Sequence, residues 1–130
     1  YGEETLLKEI HFGSGGGSYR FFLGGSGGGI IELIIGQQLI NHGSIESNGG
    51  GGVSSGGGSG GSILIELQRQ YQPQSHSKLL KQTFGTITCV GGNQDEGNKG
   101  GKGRIAIYGI ELSLDDIKKI DPKPFNRLYK

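Results

Sequence analysis

Apolar residues in this chain come in short, β-branched bursts separated by glycine. Ile30-Ile31-Glu32-Leu33-Ile34-Ile35, Ser62-Ile63-Leu64-Ile65-Glu66-Leu67 and Arg104-Ile105-Ala106-Ile107-Tyr108 are the clearest. Bursts of roughly four to eight residues favour strands over helices. The pattern predicts strands over 5–12, 18–23, 30–36, 38–41, 43–47, 62–69, 79–83, 85–90 and 104–112. Residues 30–36 and 62–67 are apolar at both alternating positions, the pattern of strands covered on both faces. Residues 69–78 are polar, contain Pro73 and read as an exposed insertion.

The helix signal is confined to the C-terminal part. Ser113-Leu114-Asp115-Asp116 opens like a capping box, with acidic residues in the first turn and Lys118 and Lys119 in the last. Leu114, Ile117 and Ile120 are expected to face inward, and Pro122 and Pro124 stop the helix. The amphipathic tail from Phe125 to Lys130 either docks back or leads into a further domain. The expected organisation is a Gly-rich repetitive β domain over 1–112, with 113–130 as a short helix and tail of the same unit or a link to another.

An internal repeat with an offset of 42 organises the middle of the chain: Gly43-Ser44-Ile45 matches Gly85-Thr86-Ile87, and Gly61-Ser62-Ile63-Leu64-Ile65 matches Gly103-Arg104-Ile105-Ala106-Ile107. The stretches between, 49–61 and 91–103, are both 13 residues long. Nine residues of the first are Gly, which alone would describe a flexible linker. The second has six Gly and four charged residues at the same length. A linker has no reason to keep its length, so both read as structured excursions between strands. A third copy aligns 24–33 with 57–67, one residue being added, and 15–21 is a fourth.

Composition sharpens this picture. The chain has 130 residues, 29 of them Gly, with no Met and no Trp. So much glycine weighs against a helical bundle, because Gly inside a helix costs about 1 kcal/mol relative to Ala. Lacking Met, the chain is read as a processed product or a piece of a longer polypeptide. Thirteen basic and twelve acidic residues, scattered along the chain, supply no patch for nucleic acid or an anionic membrane. No run approaches the ~20 apolar residues of a membrane helix. The single Cys89 excludes an internal disulfide framework, and alternation places it with Ile87 as a small buried hydrophobe.

Chemical motifs are formal rather than functional. Gly24-Gly25-Ser26-Gly27-Gly28 and Gly57-Gly58-Ser59-Gly60-Gly61 satisfy the nucleophile-elbow pattern, but a strand follows where that chemistry needs a helix. Gly56, Gly58 and Gly61 have dinucleotide-fingerprint spacing with the same defect. Asp95 and Glu96 are candidate Ca²⁺ ligands in a loop, where a solvated acidic turn is the plainer reading. His11, His42 and His76 lack ligand-like spacing. Glu32, Glu46, Glu66 and Glu111 lie in or beside strands, where most such residues face outward. No catalytic residue and no cofactor is expected.

The segments Gly61-Ser62-Ile63-Leu64-Ile65, Gly85-Thr86-Ile87-Thr88-Cys89-Val90-Gly91-Gly92 and Gly103-Arg104-Ile105-Ala106-Ile107-Tyr108 resemble the Gly-rich repeats of large protist and bacterial surface proteins, over roughly 24–108. That resemblance implies stacked β-solenoid rungs and a structural or adhesive role. The stretch 103–117 is also similar to the closing strand and helix of laminin G-like jelly rolls, which would imply carbohydrate binding. The expected fold is therefore all-β, a Gly-rich β-solenoid or β-helix-like architecture with one short C-terminal helix, the alternative being a β-sandwich jelly roll. The expected function is a non-enzymatic structural or adhesive module of an extracellular or cell-surface assembly, self-associating into a filament or array or joining other subunits. The alternative is a carbohydrate-binding sandwich presenting Tyr19 and Tyr71 to a glycan.

Overall fold

The computed structural model of the chain describes residues 12–18, 24–52, 56–68, 81–92 and 100–128. Its strands are β1 (Ile30–Ile35), β2 (Ser44–Glu46), β3 (Ser62–Leu67), β4 (Thr86–Thr88), β5 (Arg104–Tyr108), β6 (Ile120–Asp121) and β7 (Phe125–Arg127); the helix α1 (Leu114–Lys118) lies between β5 and β6. They form a four-stranded sheet ordered β1-β3-β5-β7 and a three-stranded sheet ordered β2-β4-β6. All five strand pairings are parallel.

The repeat offset is the physical register of the sheets. Ser44 stands opposite Thr86 and Ile45 opposite Ile87, while Ile63 pairs with Ile105 and Ile65 with Ile107. Matched isoleucines therefore stack on one another across neighbouring strands. The core takes Ile63, Ile65 and Leu67 from β3, Ile105 and Ile107 from β5 and Ile87 from β4, joined by Phe84, Cys89, Leu112 and Ile120. Ile31, Leu33, Ile35 and Ile45 pack against it from the edge strands. As expected, β3 is buried on both faces except at Glu66. The edge strand β1 is only half-buried, with Glu32 and Ile34 exposed.

The glycine-rich stretches are straight runs rather than bends. Three out-and-back excursions each place an outgoing run beside a returning one: 13–17 with 24–28, 47–50 with 56–61, and 89–92 with 100–103. Their hydrogen bonds are main chain to main chain and recur every third residue. Gly16 N–H donates to Gly25 O and Gly13 N–H to Gly28 O, both 2.7 Å; Gly25 N–H donates to Gly56 O at 2.8 Å and Gly28 N–H to Ser59 O at 2.9 Å. A β-ladder repeats every second residue, whereas a period of three belongs to the extended, three-residue-per-turn helix of polyproline II type. The run 56–61 is bonded to five others: Gly56 to 13–17 and 24–28, Gly58 to 47–50 and 89–92, and Gly60 to 100–103. A strand has two lateral neighbours, so this is a bundle and not a sheet.

The returning runs pass directly into the large sheet. Residues 24–28, 56–61 and 100–103 lead into β1, β3 and β5, and the bonds Ser62 N–H to Gly29 O and Arg104 N–H to Gly61 O carry the ladder across the junction. The outgoing runs leave β2 and β4, with Ser47 N–H donating to Thr88 O and Gly49 N–H to Val90 O. Polar side chains tie the loops between these elements: Asn41 donates to Phe84 O at 2.6 Å, Val90 N–H donates to Asn48 Oδ1 at 3.0 Å, and Ser47 Oγ donates to Gly29 O.

Both expected architectures are thereby corrected. A jelly-roll sandwich is built from antiparallel strands, and every registered pairing here is parallel. The β-solenoid reading took glycine as the corners between rungs. Instead the glycines form a separate bundle of straight runs in both directions, giving two parallel sheets and a short helix, a mixed α/β-like arrangement. The candidate strand 38–41 contributes a single bridge from Ile40 to Thr83. The tail docks back as β7, where Asn126 Nδ2 donates to Ile107 O and Ile110 O and its Oδ1 accepts from Leu112 N–H. Ser113 caps α1 as expected, accepting from Asp116 N–H at 3.2 Å. Only five residues long, the helix leaves Leu114 78% exposed, and Ile120 reaches the core from β6 instead. Candidates 5–12 and 18–23 fall largely outside the described residues, as do 79 and 80; of 79–83, Thr83 forms the bridge to Ile40.

A methyl group at Gly58 would collide with the backbone of Ser26, and one at Gly92 with the backbone of Gly50. At Gly29 and Gly101 it would meet nothing within 4 Å. Urea unfolding of the four alanine variants should therefore split them. Gly58→Ala and Gly92→Ala should lose about 1–3 kcal/mol or more from overpacking. Gly29→Ala and Gly101→Ala should match wild type or gain up to about 1 kcal/mol from a less flexible unfolded chain. Equal stabilities across the set would contradict the bundle.

Candidate functional site

The densest grouping of polar and aromatic chemistry lies on the face of the large sheet that carries the smaller apolar cluster of Leu64, Ala106 and Tyr108, against which Phe125 packs. Parallel register aligns side chains across it in rows. One row runs Ile34, Glu66, Tyr108, Arg127, and the next runs Glu32, Leu64, Ala106, Phe125. Tyr108 meets Phe125 edge-on with ring centroids 6.1 Å apart. The Arg127 guanidinium sits 4.6 Å above the Phe125 ring, in cation–π range. Arg127 is exposed while Tyr108 is 1% exposed, so the row passes from solvent at β7 into the interior.

Burial pushes the Tyr108 phenol above its ordinary pKa of 10.0; Arg127 opposes the shift and Glu66 adds to it. The phenol thus stays protonated through neutral pH. Its hydroxyl is enclosed without a hydrogen-bond partner among the described residues, an arrangement that costs about 1–3 kcal/mol. Buried in this way, the row packs and positions the last strand and offers no nucleophile paired with a base.

The two ends of the sheets differ in charge. Glu32 on β1 and Glu46 on β2 are exposed, and 24–52 contains no Lys or Arg. At the opposite end Lys118, Lys119, Lys123 and Arg127 are exposed around β6 and β7, and Asp121 is held by Lys102 at 2.7 Å.

Of the residues singled out from the sequence, Tyr19, Tyr71, Asp95 and Glu96 lie outside the described residues, as do His11 and His76. His42 and Glu111 are exposed on different segments, and Glu66 is half-buried in the row. Ser26 and Ser59, the centres of the two nucleophile-elbow patterns, sit inside glycine runs, and the Ser59 hydroxyl contacts the backbone of Ser14. Cys89 is fully buried in the core, as alternation implied. Burial pushes its thiol from 9.0 up to about 12, opposed in part by a hydrogen bond with the Ser47 backbone. No group of three His, Cys, Asp or Glu among the described residues could hold a metal ion. Sequence reasoning passed over Tyr108 and Arg127. The offset of 42 does carry Glu66 onto Tyr108, but nothing in the tail announced that Arg127 would complete the row.

Comparison with protein-family models, with curated proteins and with solved structures returns no match.

Because the Cys89 thiol is protonated in the fold and ionises near 9 once exposed, its contribution to stability is intact below pH 9 and is lost as pH rises toward 12. Unfolding curves at pH 8, 10 and 11 should fall in stability, and Cys89→Ala should flatten that fall. An unchanged slope would contradict the burial. Tyr108→Phe removes the enclosed hydroxyl and should leave the urea midpoint equal to or above that of wild type. A loss of more than about 1 kcal/mol would mean the hydroxyl has a partner.

Proposed function

We propose that the chain is a non-enzymatic structural or adhesive module of an extracellular or cell-surface assembly. The observation that carries this reading is the run 56–61 enclosed by five other extended runs, each joined to it by main-chain hydrogen bonds. Such a framework gives a rigid body while using few side chains, which suits a scaffold more than a reaction site. The outer strands support the same reading. Ile34 on β1 and Ile40, which bridges to Thr83, are 56% and 58% exposed, and β1 has no outer neighbour among the described strands, the kind of edge that invites association. The resemblance to Gly-rich surface-protein repeats is part of this proposal. The carbohydrate alternative has lost its sandwich frame.

Sedimentation velocity and negative-stain electron microscopy of the purified chain, from micromolar to near-millimolar concentration, test it. Concentration-dependent growth into larger particles or filaments is the expected result. A single monodisperse monomer throughout would overturn it.

A further inference from the structure

We propose that copies of this chain associate head to tail, the basic β6/β7 end of one copy seating on the acidic β1/β2 end of the next. The proposal rests on the structural-module reading and adds to it the polarity and the chemistry of the contact.

Three observations converge on a second copy as the occupant. First, among the described residues both sheets terminate together: β1 and β2 are the outer strands at one end, β7 and β6 at the other. Every pairing among those strands is parallel. A translated copy therefore brings its β1 beside β7, and its β2 beside β6, in the sense the sheets already use. Second, the ends are complementary in charge. Glu32 and Glu46 are exposed at the first end, where 24–52 holds no basic side chain. Lys118, Lys119, Lys123 and Arg127 are exposed at the second, where they outnumber Glu111, Asp115 and Asp116 by one. Third, apolar surface is present at both ends: Ile34 and Ile40 at the first, and Leu128, 42% exposed, at the second.

Charge also selects the geometry. A two-fold dimer through the β1/β2 end would set Glu32 and Glu46 against their own copies, and one through the other end would set its surplus of positive charge against itself. Like-charge juxtaposition disfavours both. The heterologous contact pairs opposite charges and leaves one free end of each kind, so it propagates into a filament.

Charge reversal on exposed side chains tests this directly. Glu32→Lys/Glu46→Lys makes both ends basic, and Lys119→Glu/Lys123→Glu makes the second end acidic. Each variant is first checked for a wild-type circular dichroism spectrum and urea midpoint. In sedimentation velocity each alone should associate roughly tenfold more weakly than wild type. An equimolar mixture should recover association, because each supplies the end the other lacks. Wild-type association should weaken as salt rises from about 50 to 500 mM. Association indifferent to reversal and salt would overturn head-to-tail docking while leaving the structural role standing. A wild-type chain that never associates would overturn both.

Discussion

The structure depends on how closely polypeptide backbones can approach when nothing but hydrogen stands on Cα. The run 56–61 has extended runs on five sides and is hydrogen-bonded to each. In a β-sheet a strand exchanges hydrogen bonds with two neighbours, and its side chains occupy the other two directions. A three-residue-per-turn run sends its N–H and C=O groups outward all round, so it can be bonded on every side. Side chains would then occupy the same space as the neighbouring backbones. The cost is high, since glycine gives up more conformational freedom on folding than any other residue. The main-chain hydrogen bonds that join the runs offset it.

The bundle also explains why two small parallel sheets form in a chain that lacks the long helical crossovers such sheets usually have. A parallel connection must return the chain to its starting end. Here the outgoing run 47–50 leaves β2 and the returning run 56–61 enters β3, and 89–92 and 100–103 repeat the manoeuvre between β4 and β5. The crossover from β1 to β3 thus passes through β2 and a pair of glycine runs, and that from β3 to β5 through β4 and another pair. Parallel order among 24–28, 56–61 and 100–103 is handed on to β1, β3 and β5, and the isoleucine ladders then lock a register already prepared by the main chain.

Much of this was legible in the sequence, and the reasons are uneven. The offset of 42 works because identical registers stack like residues, so the positions Ile45, Ile63 and Ile65 and their partners declared themselves. Equal loop lengths were readable because each excursion is bounded by paired strands at both ends. The upstream copy misled in detail. Matching Glu32-Leu33 to Glu66-Leu67 shifts β1 by two residues from its observed register, in which Ile31, Leu33 and Ile35 oppose Ile63, Ile65 and Leu67. A two-residue shift keeps the same side chains on the buried face, so hydrophobic pattern alone did not separate the two registers. The threefold runs were not legible as such, because a period of three in hydrogen bonding leaves no trace in a nearly pure glycine sequence. Glycine was therefore read as corner material, which is its commoner use. The row at Tyr108 was half visible through Glu66; its end at Arg127 depends on the tail folding back, and Asn126 holds the tail there by bonding three main-chain groups that face it.

A fold whose interior is satisfied by main-chain bonding has an unusual division of labour between inside and outside. Glycine runs contribute almost no side-chain surface, so recognition falls to the sheet edges and the segments that close them. Those segments differ in composition: 24–52 carries Glu32 and Glu46 without Lys or Arg, whereas around β6 and β7 the cations Lys118, Lys119, Lys123 and Arg127 outnumber Glu111, Asp115 and Asp116, and Asp121 is engaged by Lys102. The exposed Lys102–Asp121 pair contributes little stability of its own. Its consequence is electrostatic, since it neutralises the carboxylate beside β6 and leaves that end net positive. A near-neutral chain of +1 can in this way carry opposite local charge at the two outer edges of its described sheets. Polarity of that kind would give direction to contacts between copies, which a uniform charge could not.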